Sequence, residues 1–264
     1  MDEPDCATGE MPVMATIPPV LADAIVDDLE TLALLQDREL APATLAGLWE
    51  ITFPDNLGFR PGGEPSARAF DLMGRAMGAL AVEAASDGLN AAADRLAVDY
   101  AAIYLNASLG ASPYESVWVS DDHLVCQDAM FEMRALYGQY GLQGPGWRER
   151  FDDHLVLQLQ FVAHVLRHSR GVEEWRRLAR VLDDHLLRWL GAFARRVAAR
   201  CATPFYAGLV VLTASHVHGL REILEAVLGE VRPTAEEVEA RCRPQRRAEP
   251  VPLAFVPGAG GPSW

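Results

Sequence analysis

Between residues 172 and 199, apolar side chains recur at steps of three and four, and this spacing constrains the fold more than any other feature of the sequence. The apolar positions of the segment are Trp175, Leu178, Leu182, Leu186, Trp189, Phe193 and Val197. Steps of three and four place side chains on one face of an α-helix. The segment therefore predicts a long helix with one buried face.

Helical spacing also accounts for most of the remaining chain. Thr203 followed by Pro204 is typical of an N-cap and a first helical residue, and Thr234 with Glu237 has the spacing of a capping box. Asp128 is predicted as a further N-cap. The other predicted helices cover residues 21–35, 44–53, a segment carrying Phe70, Met73, Met77 and Leu80, then 91–107, 128–140, 152–168, 203–229 and a short segment from 234.

Strand signals are scarce, since only Val117 to Val119 hints at alternation of apolar and polar residues. A chain of 264 residues, half of them hydrophobic, is long enough for one substantial core. The sequence thus predicts an all-α protein built as a single-domain irregular helical bundle. We expect a mobile N-terminal segment at 1–17, the helical domain at 18–230, and a short helix with a Pro/Gly-rich tail at 231–264, mobile from 244 onward.

The charge of the chain disfavours one class of partner. The formal net charge is -14, whereas nucleic-acid affinity depends on neutralising phosphates with basic side chains. We therefore expect no nucleic-acid binding and a partner that is basic.

Targeting signals and cysteine spacing indicate a cytoplasmic protein. The first twenty residues contain no basic residue and no apolar run of the secretory type. The weakly polar stretch at 206–217 is too short for a membrane span, which needs about 20 residues. The cysteines lack a Cys-x-x-Cys pair, which favours reduced thiols over disulfides or zinc. They are Cys6, Cys126, Cys201 and Cys242.

The loop at 113–118 joins two predicted helices and concentrates groups that could bind a partner. It carries Tyr114, Glu115, Ser116 and Trp118. In one interpretation Tyr114 and Trp118 fill a gap between helices while Glu115 caps a helix start. In the other interpretation the loop displays these side chains for binding.

The start of the 152–168 helix is a second candidate. With Asp152 as N-cap, Phe151 and Val156 have the spacing of a hydrophobic staple, and Asp153 at the first helical position complements the helix dipole. A functional interpretation is also open, in which the carboxylates and His154 face a cationic guest whose arginines bind them.

Other motifs give little support for catalysis. His164 and His168 share a helix face and could bind a metal with a third ligand, but no His-Glu-x-x-His pattern is present. His185 and His216 fit hydrogen-bonding roles in the core. The chain has no phosphate-binding glycine loop and no nucleophile elbow.

Several segments together resemble the family of molybdoenzyme maturation chaperones that includes the TorD, DmsD and NarJ proteins. Tyr104-Leu105 and the Pro-Tyr-Glu-Ser-Val-Trp loop at 113–118 resemble the family's helix end and following loop. Residues 149–155 resemble its signature before a leucine-rich helix, with Phe151 in place of a proline. Residues 161–164, 185–190 and 203–206 resemble later landmarks of the family.

The resemblance implies a TorD-like helical bundle that is not an enzyme and needs no cofactor of its own. It implies a cytoplasmic chaperone that binds the catalytic subunit of a DMSO-reductase-type molybdoenzyme, here called the client, and its twin-arginine leader while the molybdenum cofactor is inserted. A transient contact with that cofactor is left open. So is the choice between monomer and homodimer.

The resemblance also implies which residues line or support the client-binding groove. Asp153 is the leading candidate for an arginine partner, Asp152 mainly caps the helix, and Gln158 lies one turn further along. The full predicted set is Tyr104, Tyr114, Glu115, Ser116, Trp118, Asp152, Asp153, His154 and Gln158.

Two alternatives remain open at the level of the sequence. One is a NarJ-type assembly factor that recognises the folded client and ignores the leader. The other is a helical metal-dependent hydrolase using His164, His168 and an aspartate.

Overall fold

The computed structural model of the chain describes residues 16–146 and 148–243, and every regular element in that part is helical. This confirms the predicted all-α class. The α-helices are α1 (Pro19–Asp37), α2 (Pro42–Glu50), α3 (Gly63–Asp87), α4 (Leu89–Tyr100), α5 (Ser116–Val119), α6 (Asp128–Gln139), α7 (Leu155–His168), α8 (Val172–Val181), α9 (Leu187–Arg200), α10 (Pro204–Leu228) and α11 (Ala235–Cys242). Two π-helical turns, π1 (Ala101–Leu105) and π2 (Leu182–Leu186), follow α4 and α8.

The predicted long helix at 172–199 is confirmed as the continuous segment α8–π2–α9. All seven apolar residues that predicted it are buried. The π2 turn in its middle was not predicted, because the sequence pattern counts apolar positions and cannot register one extra residue per turn. The turn changes the direction in which the following side chains point.

The core lies where five helices pack. α1 packs along α7, and α10 packs against both α3 and α9. The buried face of α10 includes Phe205, Leu209, Leu212, Leu220 and Leu224, as its spacing predicts, and the helix ends at Gly229 in the left-handed conformation. These contacts form the frame on which the shorter loops rest.

Several predicted helix starts are wrong. α7 begins at Leu155, and its N-cap is His154, so Asp152 does not cap it and Phe151 and Val156 are not staple partners. Asp153 precedes the N-cap and is not the first helical residue. In α6 the N-cap is Gln127, and Asp128 is the first helical residue.

Other predicted boundaries differ as well. α2 ends at Glu50, and residues 51–56 form turns where the prediction continued the helix to Phe53. The predicted loop at 108–127 contains the short helix α5, which takes up the residues that hinted at a strand.

The chain divides after Pro233 into two units. The second unit contains α11, whose predicted capping box is present: the Glu237 amide donates to the Thr234 hydroxyl, and the Glu237 carboxylate accepts from the Thr234 amide. Residues 1–15 and 244–264, most of the segments predicted to be mobile, lie outside the described residues. None of the described helices combines the length and apolar character of a membrane span.

The crossing of α10 and α3 predicts the effect of a small substitution. A Cβ added at Gly208 would lie 3.0 Å from the Cα and the Sδ of Met73, so Gly208→Ala must push the two helices apart. We expect a loss of about 1–3 kcal/mol in the free energy of unfolding. The control Gly78→Ala, in α3 with nothing within 4 Å, should gain up to about 1 kcal/mol through helix propensity. Equal urea midpoints for the two variants would contradict the close crossing.

Candidate functional site

The two predicted site segments lie side by side, joined by backbone hydrogen bonds. The Leu155 amide donates to the Pro113 carbonyl at 2.8 Å, and the Glu115 amide donates to the Asp153 carbonyl at 3.1 Å. Tyr114 and His154 form an isolated antiparallel bridge between these bonds. The loop before α5 is therefore fixed to the start of α7, although some forty residues separate them in the sequence.

The buried side chain of Asp153 stabilises this pairing. Its Oδ2 accepts a hydrogen bond from the Ser116 amide at 2.8 Å, and the residue has no solvent exposure. Burial raises the pKa of Asp153, although the bonds from Ser116 oppose this shift. Its Oδ1 has no hydrogen-bond partner among the described residues. Asp153 thus supports the loop, and its predicted contact with a client arginine stays a prediction.

Glu115 is the centre of a buried polar chain. The Gln158 side-chain amide donates to Glu115 Oε2, and His185 Nδ1 lies 3.1 Å from Oε1. The Trp189 indole then donates to Gln158 Oε1 at 3.3 Å. A buried carboxylate is costly unless it has such partners. These hydrogen bonds connect the loop with α7, π2 and α9.

The charge of Glu115 acts on His185. Burial alone would lower the pKa of His185, but the charge and hydrogen bond of Glu115, together with the charges of Glu132 and Asp184, raise it above its usual value. The neighbouring imidazole behaves differently: burial holds the pKa of His154 well below its usual value. Neutral His154 accepts a hydrogen bond from the Val156 amide at its Nδ1, 3.1 Å away, and so caps α7.

Asp152 points away from the pairing and contacts α6. Arg134 Nε donates to its Oδ2 at 2.8 Å, and the Tyr137 hydroxyl donates to its carbonyl at 2.7 Å. Gly144 also approaches it closely, since a Cβ there would collide with Oδ1. Asp152 therefore ties α6 and the following loop to the start of α7.

Tyr104, in π1, connects the site to the core. Its hydroxyl donates to Gln36 Oε1 at 2.9 Å, and Gln36 Nε2 donates to Thr213 Oγ1 at 3.1 Å. The tyrosine ring lies near the ring of His154, with the centroids 6.5 Å apart. These two hydrogen bonds link the site to α1 and, through Gln36, to α10.

Tyr114 and Trp118 are the two predicted site residues that remain partly exposed, and the other seven are buried. Tyr114 packs edge-on against His154 and Phe151. The Trp118 indole donates to the Ser112 carbonyl at 2.8 Å, and the Arg196 guanidinium lies over its ring. Of the predicted set, these aromatic side chains offer the surface that a partner can touch.

Sequence reasoning missed His185 and Trp189 as members of this site. The sequence assigned His185 a general core role and Trp189 a place in the apolar seam. The available signal was that both lie in the 185–190 segment that resembles a family landmark. Nothing in the sequence indicated that the π2 turn aims His185 at Glu115.

The remaining histidine candidates do not assemble a metal site in the described part of the chain. The rings of His164 and His168 stack with centroids 4.2 Å apart, but no group of three or more candidate ligands occurs among residues 16–146 and 148–243. Asp183 is buried between Arg221 and Arg232, each 2.9–3.0 Å away. His216 bonds to the Leu212 carbonyl within its own helix.

Comparison with known proteins identifies relatives of this chain. The family model described as nitrate reductase delta subunit matches residues 70–195, a range that includes both site segments, π2 and Trp189. Chaperone protein TorD of Vibrio cholerae is 29% identical over 143 residues, covering 51% of this chain and 64% of that relative.

Two further relatives carry the same name. Chaperone protein TorD of Photobacterium profundum is 29% identical over 128 residues, 44% of this chain and 58% of that protein. The Shewanella pealeana protein is 30% identical over 141 residues, 50% of this chain and 62% of that protein. The chain thus spans about three-fifths of the length of these curated relatives. All are named chaperones, in agreement with the prediction of a non-enzymatic protein.

The Glu115–His185 pair predicts a pH-dependent stability. Because the folded-state pKa of His185 is raised, its stabilising charge is fully present below the unfolded pKa of about 6.5 and is lost as the pH rises through the folded pKa. Glu115→Gln removes the partner charge. We expect it to lower the free energy of unfolding by about 2 kcal/mol near pH 6 and by less near pH 9.

Urea unfolding across that pH range measures the difference. The surface variant Asp94→Asn, in α4, is the control and should show no such trend. A Glu115→Gln effect that is constant or grows with pH would contradict a charged His185 in the folded protein.

Proposed function

Because the chain belongs to the TorD/NarJ family of maturation chaperones, we propose that it binds the catalytic subunit of a DMSO-reductase-type molybdoenzyme and that subunit's twin-arginine leader. In this proposal it acts in the cytoplasm, before export, while the molybdenum cofactor is inserted. The chain itself needs no cofactor for this role. Its partner is a protein, in keeping with the acidic net charge of -14.

The observation that carries the proposal is the hydrogen-bonded pairing of the 113–116 loop with residues 153–155. Three carboxylates in or beside the pairing accept internal hydrogen bonds: Asp153 from Ser116, Glu115 from Gln158 and His185, and Asp152 from Arg134. Groups that are buried and bonded in this way are unsuited to proton transfer with a substrate. They are suited to holding a recognition loop in one conformation.

The ligand chemistry is consistent with an acidic receptor. A twin-arginine leader offers two guanidinium groups followed by an apolar helix, and such a segment requires carboxylates beside an apolar surface. Burial of Asp153 and Glu115 means that other carboxylates must make the direct contacts. The predicted residues then act mainly by positioning the surface that binds the leader.

A leader-independent assembly factor is the second candidate, and one observation favours it. Seven of the nine predicted contact residues are buried, which leaves Tyr114 and Trp118 as partly exposed aromatic groups. Aromatic side chains of this kind are common anchors in protein interfaces. They could contact a folded client surface without any arginine pair.

Affinity purification of the tagged chain from its native host tests the proposal. We expect the catalytic subunit of a molybdoenzyme to co-elute in its unprocessed form. Removal of the leader from that subunit should weaken binding by about tenfold, equivalent to roughly 1.4 kcal/mol. Unchanged binding after removal would favour the assembly factor, and absence of any molybdoenzyme precursor would refute both candidates.

The partly exposed aromatic residues provide the matching variant. The double substitution Tyr114→Ala and Trp118→Ala should reduce the amount of co-eluting subunit, whereas the exposed control Val98→Ala in α4 should not. If the double variant retains its far-ultraviolet circular dichroism and still recovers the full amount of client, the loop is not the contact surface.

A further inference from the structure

A pocket of about 570 Å³ lies where the start of α1, the end of α7 and the start of α8 meet. This volume is within the usual range of ligand-binding pockets. None of the nine predicted site residues lines it, and the proposed function makes no use of it. We call it the α1–α8 pocket, and its apolar walls include Ile17, Leu166, Val172 and Trp175.

Two hydrogen-bond donors in the wall of the pocket have no partner among the residues that the structure describes. The Trp175 side chain is only 7% exposed, yet its indole N–H donates to none of them. The amide of Val172, the first residue of α8, also lacks an acceptor, because the N-cap Gly171 has no side chain that could provide one. Donors in enclosed side chains are normally bonded to protein, ligand or water. The indole therefore indicates an occupant that carries acceptor groups.

A cation at the pocket lacks a carboxylate partner in the described part of the chain. Arg170 lines the pocket, and its Nη1 donates to the carbonyls of Arg167 and Ser169 at 2.7 and 2.9 Å. These contacts leave the guanidinium charge without a neutralising anion. Asp23 is also in the wall but forms no ion pair with Arg170. The pocket thus presents an unpaired cation beside apolar walls.

The sequence that directly precedes the pocket matches these features. Thr16 and Ile17 line the pocket, and residues 11–15 before them are Met, Pro, Val, Met and Ala. Glu10 comes next, and the first ten residues contain four carboxylates and no basic side chain. Five residues can span about 17 Å when extended. A short tether of this kind gives an effective concentration on the order of millimolar.

We propose that residues 10–15 of the chain bind in the α1–α8 pocket and cover Trp175. The apolar side chains of the segment pack on the walls, and its backbone carbonyls accept from the Trp175 indole and the Val172 amide. Glu10 pairs with the guanidinium of Arg170. The tether and this charge complementarity select the chain's own segment over a free peptide. The inference does not depend on which client the chain binds.

Hydrogen exchange measured by NMR on the full chain tests the proposal. In the unaltered chain the Trp175 indole N–H and the Val172 amide should exchange slowly, because the segment covers both. The aspartate variant, Val13→Asp with Met14→Asp, places two charges where the proposal requires apolar contact. Both positions should then exchange about tenfold faster, while amides of α10 keep their protection.

Matched variants separate docking from general effects of added or removed charge. Ala7→Asp with Thr8→Asp adds the same two charges outside the proposed segment and should leave both exchange rates unchanged. Glu10→Gln removes the partner of Arg170 and should raise both rates about two- to threefold, since the ion pair is solvent-accessible. Glu3→Gln removes an equal charge elsewhere and should have no effect.

A peptide supplied in trans tests the same contact without relying on the tether. An acetylated peptide with the sequence of residues 9–15, added in excess to the aspartate variant, should restore slow exchange of the Trp175 indole. The same peptide carrying Val13→Asp and Met14→Asp should not restore it.

Three results would overturn the inference. The first is equal exchange at Trp175 and Val172 in the unaltered chain and the aspartate variant. The second is protection that rises with protein concentration, which would assign the pocket to a second copy of the chain. If the aspartate variant also loses protection in α10, the comparison of Glu10→Gln with Glu3→Gln decides, and equal rates in that pair are the third. None of these results changes the test of client binding.

Discussion

The arrangement of the site depends on satisfying two buried carboxylates, Asp153 and Glu115. A carboxylate removed from water is strongly destabilising unless hydrogen-bond donors replace the lost hydration. Here the Ser116 amide serves Asp153, and Gln158 with His185 serves Glu115. Because the donors come from distant parts of the chain, these bonds fix the loop at 113–118 against α7 and against the α8–π2–α9 segment. The exposed residues of the following loop derive their position from this pairing.

Two π-helical turns place polar side chains around the pairing. π1 contains Tyr104, which bonds to Gln36 of α1, and π2 contains His185, which bonds to Glu115. A π turn adds one residue to a helix and redirects the side chains that follow, and such turns are frequent at functional sites. In this chain they bring Tyr104 and His185 to the same site. The site is therefore connected to the core on two sides.

The sequence predicts the helices well because burial of an apolar face leaves a periodic signal. The seven apolar residues between 172 and 199 and the buried face of α10 are examples. Helix starts are predicted less well, because several polar residues near residue 154 could cap α7 and tertiary contacts decide among them. Asp152 was predicted as the cap, yet Arg134 and Tyr137 hold it, and His154 takes the position.

The sequence named residues that lie close together, but it did not predict their geometry. The resemblance to a family named residues that the structure brings together, but neither periodicity nor motif spacing indicates which carboxylates are buried. Buried Asp153 accepts its hydrogen bond from a residue 37 positions away, and such a pairing has no local signature. The same reason explains why His185 was missed. The carboxylates that remain exposed, such as Asp121 and Asp122, belong to no recognised motif.

Hydrogen exchange of individual amides tests most directly whether the buried pairing holds the loop at 113–118 in one conformation. In Asp153→Ala, the amide of Ser116 and those of residues 117–127 should exchange at least about tenfold faster than in the unaltered chain, while amides of α9 and α10 keep their protection. That result would show that Asp153 fixes the loop locally. Equal protection of the loop in both proteins, or a uniform loss across all helices, would contradict the account.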